Sequence, residues 1–329
     1  MGQDGRGRRW IALILGMVIS WLVLGCRRGD EPPSDKPADR GDAASAWLIG
    51  MSQCNLGEPW RVQMNEDIAK AAAKHANLKV VFKDAQNDSL RQRAQVGELV
   101  AQGINLLVIS PKETAPLTKP VAEAYDKGIP VIVLDRRVAG DKYSVFIGAD
   151  NERIGREAGK WALKALNGKG KIVELKGLMT SSPGQDRHNG FRAGLQLDQH
   201  PDLEVVFEAD MQWLEPKARK EMESALAAHE IIDLVYAHND PGAHGAYLAA
   251  KQAGRKGIKL IGIDALPHEG VQYVKQGLLD ATFAYPTGGA EAVATALKLL
   301  AGEKVDKEIV LGTRIYTRDN VDRGGEAID

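Results

Sequence analysis

Only two cysteines, Cys26 and Cys54, occur in 329 residues. The first falls in the N-terminal leader, so Cys54 has no partner and reads as a buried, inert thiol. Charge of one sign is also missing. Lys and Arg total 43 and Asp and Glu 44, a formal net charge of -1, so nothing draws the chain to nucleic acid or to a strongly anionic partner. Aromatic residues make up 5% of the chain, which makes each tryptophan more informative than usual. No catalytic nucleophile stands beside an obvious base. His238 and His244 lack a third ligand, so no zinc site is read. The Gly168-Lys169-Gly170 turn and the Gly177–Gly184 loop lack the spacing of a dinucleotide or phosphate loop. Neither cofactor nor metal is expected.

A long apolar run occurs only at the N-terminus. Arg6, Arg8 and Arg9 precede an apolar segment from Trp10 to Leu24, followed by Gly25-Cys26. A basic start, roughly 15 apolar residues and a small residue at the cleavage point describe a secretory signal too short for a membrane span. The cysteine directly after it resembles that of a bacterial lipoprotein, with Cys26 lipidated as the first mature residue. Residues 1–26 are therefore read as signal peptide plus lipidated cysteine. An uncleaved anchor or a plain signal peptide are the alternatives. Residues 27–44 are rich in Asp, Pro, Gly and Arg, cannot repay the entropy of ordering, and read as a flexible tether.

From Ala46 a regular alternation begins. Apolar strand-like runs at Trp47 to Met51, Leu78 to Phe82, Ile104 to Ile109 and Val131 to Leu134 alternate with helical patterns, such as Trp60, Met64, Ile68 and Ala72 at every fourth position with Val62 widening the stripe. The second half repeats this grammar through Ala281 to Ala284, with Asn151 and Asp240 as expected helix caps. Such alternation predicts an α/β fold of two Rossmann-like lobes with parallel sheets. The 44% hydrophobic content and the length suit two packed cores.

Polar residues gather where strands end. Val131-Ile132-Val133-Leu134 reads as a strand buried on both faces, ending in Asp135 and Arg136. Open α/β sheets bind ligands at such carboxyl ends. A carboxylate that only accepts hydrogen bonds beside a guanidinium that only donates them suits a sugar hydroxyl, which does both; a strand-end salt bridge is the plainer reading. Ser52, Gln53, Glu58, Trp60 and Arg61 follow the first strand. Arg187, Gln212-Trp213, His238-Asn239-Asp240, Asp264 and Tyr285 follow or adjoin later ones. This set fits holding a small polyol better than transforming it.

Val133-Leu134-Asp135-Arg136, Glu174-Leu175-Lys176-Gly177, Asp186 to Phe191, Ala237 to Asp240 and Gly262-Ile263-Asp264 together resemble the type I periplasmic monosaccharide-binding proteins. The likeness covers nearly all of Ala46 to Val321, and Ser52 to Arg61 is closer to the galactofuranose-binding group than to the ribose-binding one. It implies two lobes joined by three hinge crossovers: 45–148 with 286–311, and 149–285 with 312–329. It also implies a monosaccharide held between them and delivered to the permease of an ABC transporter. Carried across by position, Asp135, Arg136, Arg187, Asn239 and Asp264 are ligand residues, Trp60 and Trp213 supply flat apolar faces, and Arg61 belongs to a Trp-Arg pair. Leu214 and Glu215 depart from the family's step after that aromatic, and Tyr285 replaces a ribose-type glutamine. Glu58, Arg61 and Tyr285 point away from ribose toward another pentose, a furanose-form hexose or fructose. The protein is expected to be a monomer in the cell envelope and not an enzyme. A sensory role is the alternative, and a sugar-modifying enzyme a weaker one. A lactose-repressor-type regulator shares the lobes, but an export signal stands where its DNA-binding segment would be.

Overall fold

The computed structural model describes residues 46–328. The signal peptide, Cys26 and the tether read over 27–44 lie outside the described residues. The first lobe is built on β1 (Trp47–Gln53), β2 (Leu78–Asp84), β3 (Leu106–Ser110), β4 (Val131–Leu134) and β5 (Val145–Ala149), with helices α1 (Pro59–Ala72), α2 (Ser89–Ala101) and α3 (Thr114–Asp126) between them. The second holds α4 (Asn151–Ala165), β6 (Gly170–Lys176), α5 (Ser182–Leu195), β7 (Leu203–Asp210), α6 (Glu215–Ala228), β8 (Leu234–Ala237), α7 (Asp240–Gln252), β9 (Lys259–Asp264), α8 (Gly270–Lys275) and β10 (Ala281–Ala284). The chain then returns through α9 (Gly289–Leu300), which packs on α1, and β11 (Glu308–Leu311). It ends in β12 (Thr313–Thr317) and β13 (Glu326–Ile328).

The strand order is β11-β5-β4-β3-β1-β2 in one sheet and β13-β12-β10-β9-β8-β6-β7 in the other. All pairs in the first sheet are parallel; β12 and β13 run antiparallel at the edge of the second. Three crossings join the sheets: after β5, between β10 and α9, and at Gly312 between β11 and β12. The fold is the α/β, two-lobed architecture that the alternation predicts. Val131 to Leu134 are all buried, because a central parallel strand has helices on both faces.

Several local expectations are corrected. Asn151 does not cap α4; Asp150 does, accepting from the Arg153 amide at 3.0 Å. Asp240 does not cap α7; Asn239 does, accepting from the Gly242 amide at 3.0 Å, while Asp240 is buried in the first turn. Val62 is exposed, and Arg61 is buried on α1 instead. Strands β11 to β13 have little sequence signal, since β11 alternates exposed with half-buried residues and β13 is three residues long.

Helices α4 and α5 meet backbone to backbone through Gly155 and Gly159 on one and Gly190 and Gly194 on the other. A Cβ on Gly190 would lie 2.0 Å from the Glu152 carbonyl oxygen. Gly190→Ala therefore has to part the two helices, and overpacking of this kind costs about 1–3 kcal/mol. Thermal unfolding checks this: the variant should melt several degrees below wild type, and an unchanged midpoint would contradict the packing.

Candidate functional site

Side chains from both lobes converge where the carboxyl ends of the strands face each other. They enclose a cavity of about 280 Å³ lined by Glu58, Trp60, Arg61, Asp135, Arg136, Pro183, Arg187, Trp213, Asn239, Asp264 and Tyr285. The sequence-predicted residues among these are all buried, from 2% exposed at Arg61 to 8% at Asp264. The lobes are thus closed over the site.

On the first lobe, Asp135 stands just past β4 with φ 69°. Its Oδ2 accepts from Arg61 Nη2 and from Ser110 Oγ, each at 3.0 Å, and lies 3.7 Å from Arg136 Nε. Burial alone pushes this carboxyl up, but the guanidiniums of Arg61 and Arg136, with those hydrogen bonds, hold it below the usual carboxylate range. Glu58 accepts from Asn55 Nδ2 at 2.9 Å and sits 3.5 Å from Arg61 Nε. Ser52 and Gln53, expected as ligand residues, stand behind the wall. Gln53 Oε1 accepts from Arg61 Nη1 at 3.0 Å, and Ser52 Oγ accepts from Gln92 Nε2 at 3.3 Å. Because Arg61 folds back over the strand end, it covers the polar face that Gln53 would otherwise present.

On the second lobe, Arg187 Nε donates to Asn151 Oδ1 at 2.8 Å, and Nη1 donates to the His238 carbonyl and lies 3.8 Å from Asp264 Oδ1. Its guanidinium is 5.3 Å from the Trp213 ring centre and 4.8 Å from that of Tyr285. Arg136 stacks on Trp213 at 5.3 Å, so that indole is flanked by cations from both lobes. Gly177 underlies the same ring; a Cβ there would come within 2.3 Å of it. Asn239 is largely committed to structure, donating to the Trp213 carbonyl at 2.9 Å while it caps α7. Asp264, at φ 127°, has its carboxyl pushed well up by burial, against the opposing pull of Arg187. Gln212, Trp213 and Ala265 also have positive φ. Strained backbone thus clusters where both lobes meet the cavity, as it does at ligand clamps.

Tyr285 belongs to a crossover. Its hydroxyl donates to the Asp135 carbonyl at 3.1 Å, its own carbonyl accepts from Trp60 Nε1 at 2.7 Å, and the Trp60 ring lies 5.4 Å away. Arg61 Nε, Arg136 Nε and Trp213 Nε1 are buried and have no hydrogen-bond partner among the described residues, which leaves three donors for a ligand. Three arginines and three carboxyl groups line the cavity, so it offers hydrogen-bond donors and acceptors together, which suits a polar guest. Serine, cysteine and histidine are absent from the described residues lining it.

The sequence does not mark Ser110, Gln92, Asn151, Pro183 or Gly177 as site residues; it offers Asn151 only as a helix cap and Gly177 only as part of a motif. Glu174, His188 and Glu208 could hold a metal by proximity alone. Arg192 already bridges both glutamates, at 2.9 and 2.5 Å, and Lys176 reaches Glu208 at 2.9 Å. That cluster is therefore a neutralised ion-pair network.

Two α/β lobes closed over a cavity at the carboxyl ends of their parallel strands define a type I periplasmic binding protein fold. Residues 49–304 match the periplasmic binding protein domain family, and the chain belongs to it. It is 32% identical to the ribose import binding protein of Bacillus subtilis, over 94% of this chain and 99% of that one. It is likewise 32% identical to the galactofuranose-binding protein of Escherichia coli, over 68% and 73%. Among solved structures, the fructose-binding periplasmic domain of a hybrid two-component system superposes with a TM-score of 0.81 at 43% identity, covering 84% and 93% of the two chains.

Proposed function

We propose that this protein captures one monosaccharide, a pentose, a furanose-form hexose or fructose, between its lobes and presents it to the permease of a sugar ABC transporter. The observation that carries this reading is the closed cavity lined by arginines and carboxyl groups from both lobes, with indole and phenol rings on its walls. A sugar entering it loses water from every hydroxyl, and each unpaired group would cost about 1–3 kcal/mol. Fixed carboxylates, guanidiniums and the spare Trp213 N–H can replace that water, while Trp60 and Trp213 offer apolar faces to C–H surfaces. The roles of Asp135, Arg136, Arg187 and Asp264 as direct ligand partners, and of Asn239 as the brace of Trp213, are part of this proposal. The lobe boundaries 45–148 with 286–311 and 149–285 with 312–329 are supported by which sheet each strand joins. We further place the mature chain in the cell envelope as a monomer held by lipid on Cys26, without catalytic activity.

The likeness to a fructose-binding sensor domain favours a second reading, presentation of the same sugar to a receptor, and puts fructose at the head of a screening panel. A thermal-shift screen of monosaccharides tests the capture. A true ligand at 100 times its dissociation constant stabilises by about 2.7 kcal/mol, so one sugar should raise the midpoint by roughly 5–10 °C and be recovered unchanged. A panel of pentoses, fructose and furanose-forming hexoses with no shift would sink the proposal.

A further inference from the structure

Beyond the sugar-facing wall, a second set of contacts ties the lobes together. Glu113 stands immediately before α3, beyond the carboxyl end of β3, and its side chain makes no helix-capping bond; instead its Oε1 accepts from Thr180 Oγ1 of the other lobe at 2.8 Å. The Thr114 amide donates to the Thr180 carbonyl at 3.1 Å. A few residues along, the Arg137 amide donates to Ser182 Oγ at 2.9 Å. Within the first lobe, Thr114 Oγ1 donates to the Arg137 carbonyl at 3.1 Å, and the Ser89 hydroxyl donates to the other Glu113 oxygen, so both anchor points are braced. Glu113, Thr114, Thr180 and Ser182 do not line the cavity, yet their neighbours Arg136 and Pro183 do. Arg136 Nη1 also donates to the Lys112 carbonyl at 2.9 Å. In the second sheet these contacts come from the end of β6, with β8 and β9 between it and β10, the strand that leads into a crossover.

We propose that Glu113, Thr114 and Arg137 on one lobe, with Thr180 and Ser182 on the other, form a latch that positions the lobes for sugar capture without touching the sugar. This rests on the capture reading for its functional meaning. The latch bonds exist only when the lobes are closed, so their free energy biases the open–closed equilibrium. Apparent affinity is the intrinsic affinity of the closed form scaled by the fraction that closes. Residues remote from the ligand thereby set its dissociation constant.

The test is Thr180→Val combined with Ser182→Ala, titrated with the best sugar from the screen by calorimetry. Both positions lie at or near the surface, so the variant keeps its core. The dissociation constant should rise about threefold to tenfold, the range that losing one or two modest hydrogen bonds gives. Thr180→Ser, which keeps the hydroxyl, should stay near wild type. A dissociation constant within twofold of wild type for the double variant overturns the latch, as does a Thr180→Ser variant as weak as the double variant. If no sugar in the panel binds, the capture reading fails separately. Interlobe distances between spin labels on the unliganded protein then decide the latch: loss of the short distance in the double variant supports it, and an unchanged distribution overturns it.

Discussion

Arg187→Ala should abolish tight sugar binding while leaving the fold in place. The guanidinium is 2% exposed and does three things at once. It bonds Asn151 and the His238 carbonyl, sits 3.8 Å from Asp264, and fills the space between Trp213 and Tyr285. Truncating one partner of a buried, hydrogen-bonded charge pair costs about 2–5 kcal/mol in binding, or roughly 30-fold to several-thousand-fold in dissociation constant. Arg187→Lys should rescue little, because an ammonium cannot reproduce a planar fork that serves Asn151 and His238 together. Isothermal titration of both variants is the check. An alanine variant that binds within twofold of wild type would remove Arg187 from the site.

Glu174→Ala should produce a large loss of stability among single substitutions here, and it acts from beneath the cavity. The Glu174 carboxylate is fully buried; it accepts from His188 Nδ1 at 2.9 Å, His238 Nε2 at 3.0 Å and Arg192 Nε at 3.0 Å. Burial alone would push it up, yet the hydrogen bonds from the two imidazoles hold it far below the ordinary carboxylate range. His238 is itself held below its usual value by burial, so near neutrality it donates Nε2–H as a neutral ring. The depression of Glu174 therefore rests more on hydrogen bonding than on an imidazolium charge. Breaking such a buried network costs about 3–5 kcal/mol, or roughly 6–20 °C in melting temperature. A group with a depressed folded-state value stabilises above its unfolded value of 4.5 and loses that contribution as pH falls through the folded one. Wild type should thus lose stability progressively below about pH 4.5, and the variant should lose less over the same range. Melting curves from pH 7 to 3 decide it: parallel curves would contradict this role.

Much of the architecture was legible because burial on both sides of a parallel strand leaves a continuous apolar run, as at Val131 to Leu134, and the polar residue where the run stops is conspicuous. Asp135 and Asp264 are marked in just this way. What the chain does not advertise is support acquired across space. Gln92 is fully buried on α2 because its amide donates to the Ser110 carbonyl at 2.9 Å and accepts from the Lys112 amide at 2.8 Å. Nothing beside Gln92 in the sequence marks it. Asn151 looks like a helix cap, and only the fold brings it to Arg187 and Tyr285. Strands β11 to β13 gain their order from the neighbours they pair with, which local propensity does not report. The Thr180–Glu113 bond is hidden from local sequence for the same reason, since its partners are 67 residues apart.

If a single monosaccharide trades its hydration for side chains contributed by both lobes, crystals grown with the sugar that gives the largest thermal shift should hold one ring between Trp60 and Trp213, its hydroxyls within hydrogen-bonding distance of Asp135, Arg187 and Asp264. A sugar bound elsewhere on the protein, with this cavity filled only by solvent, would contradict that exchange.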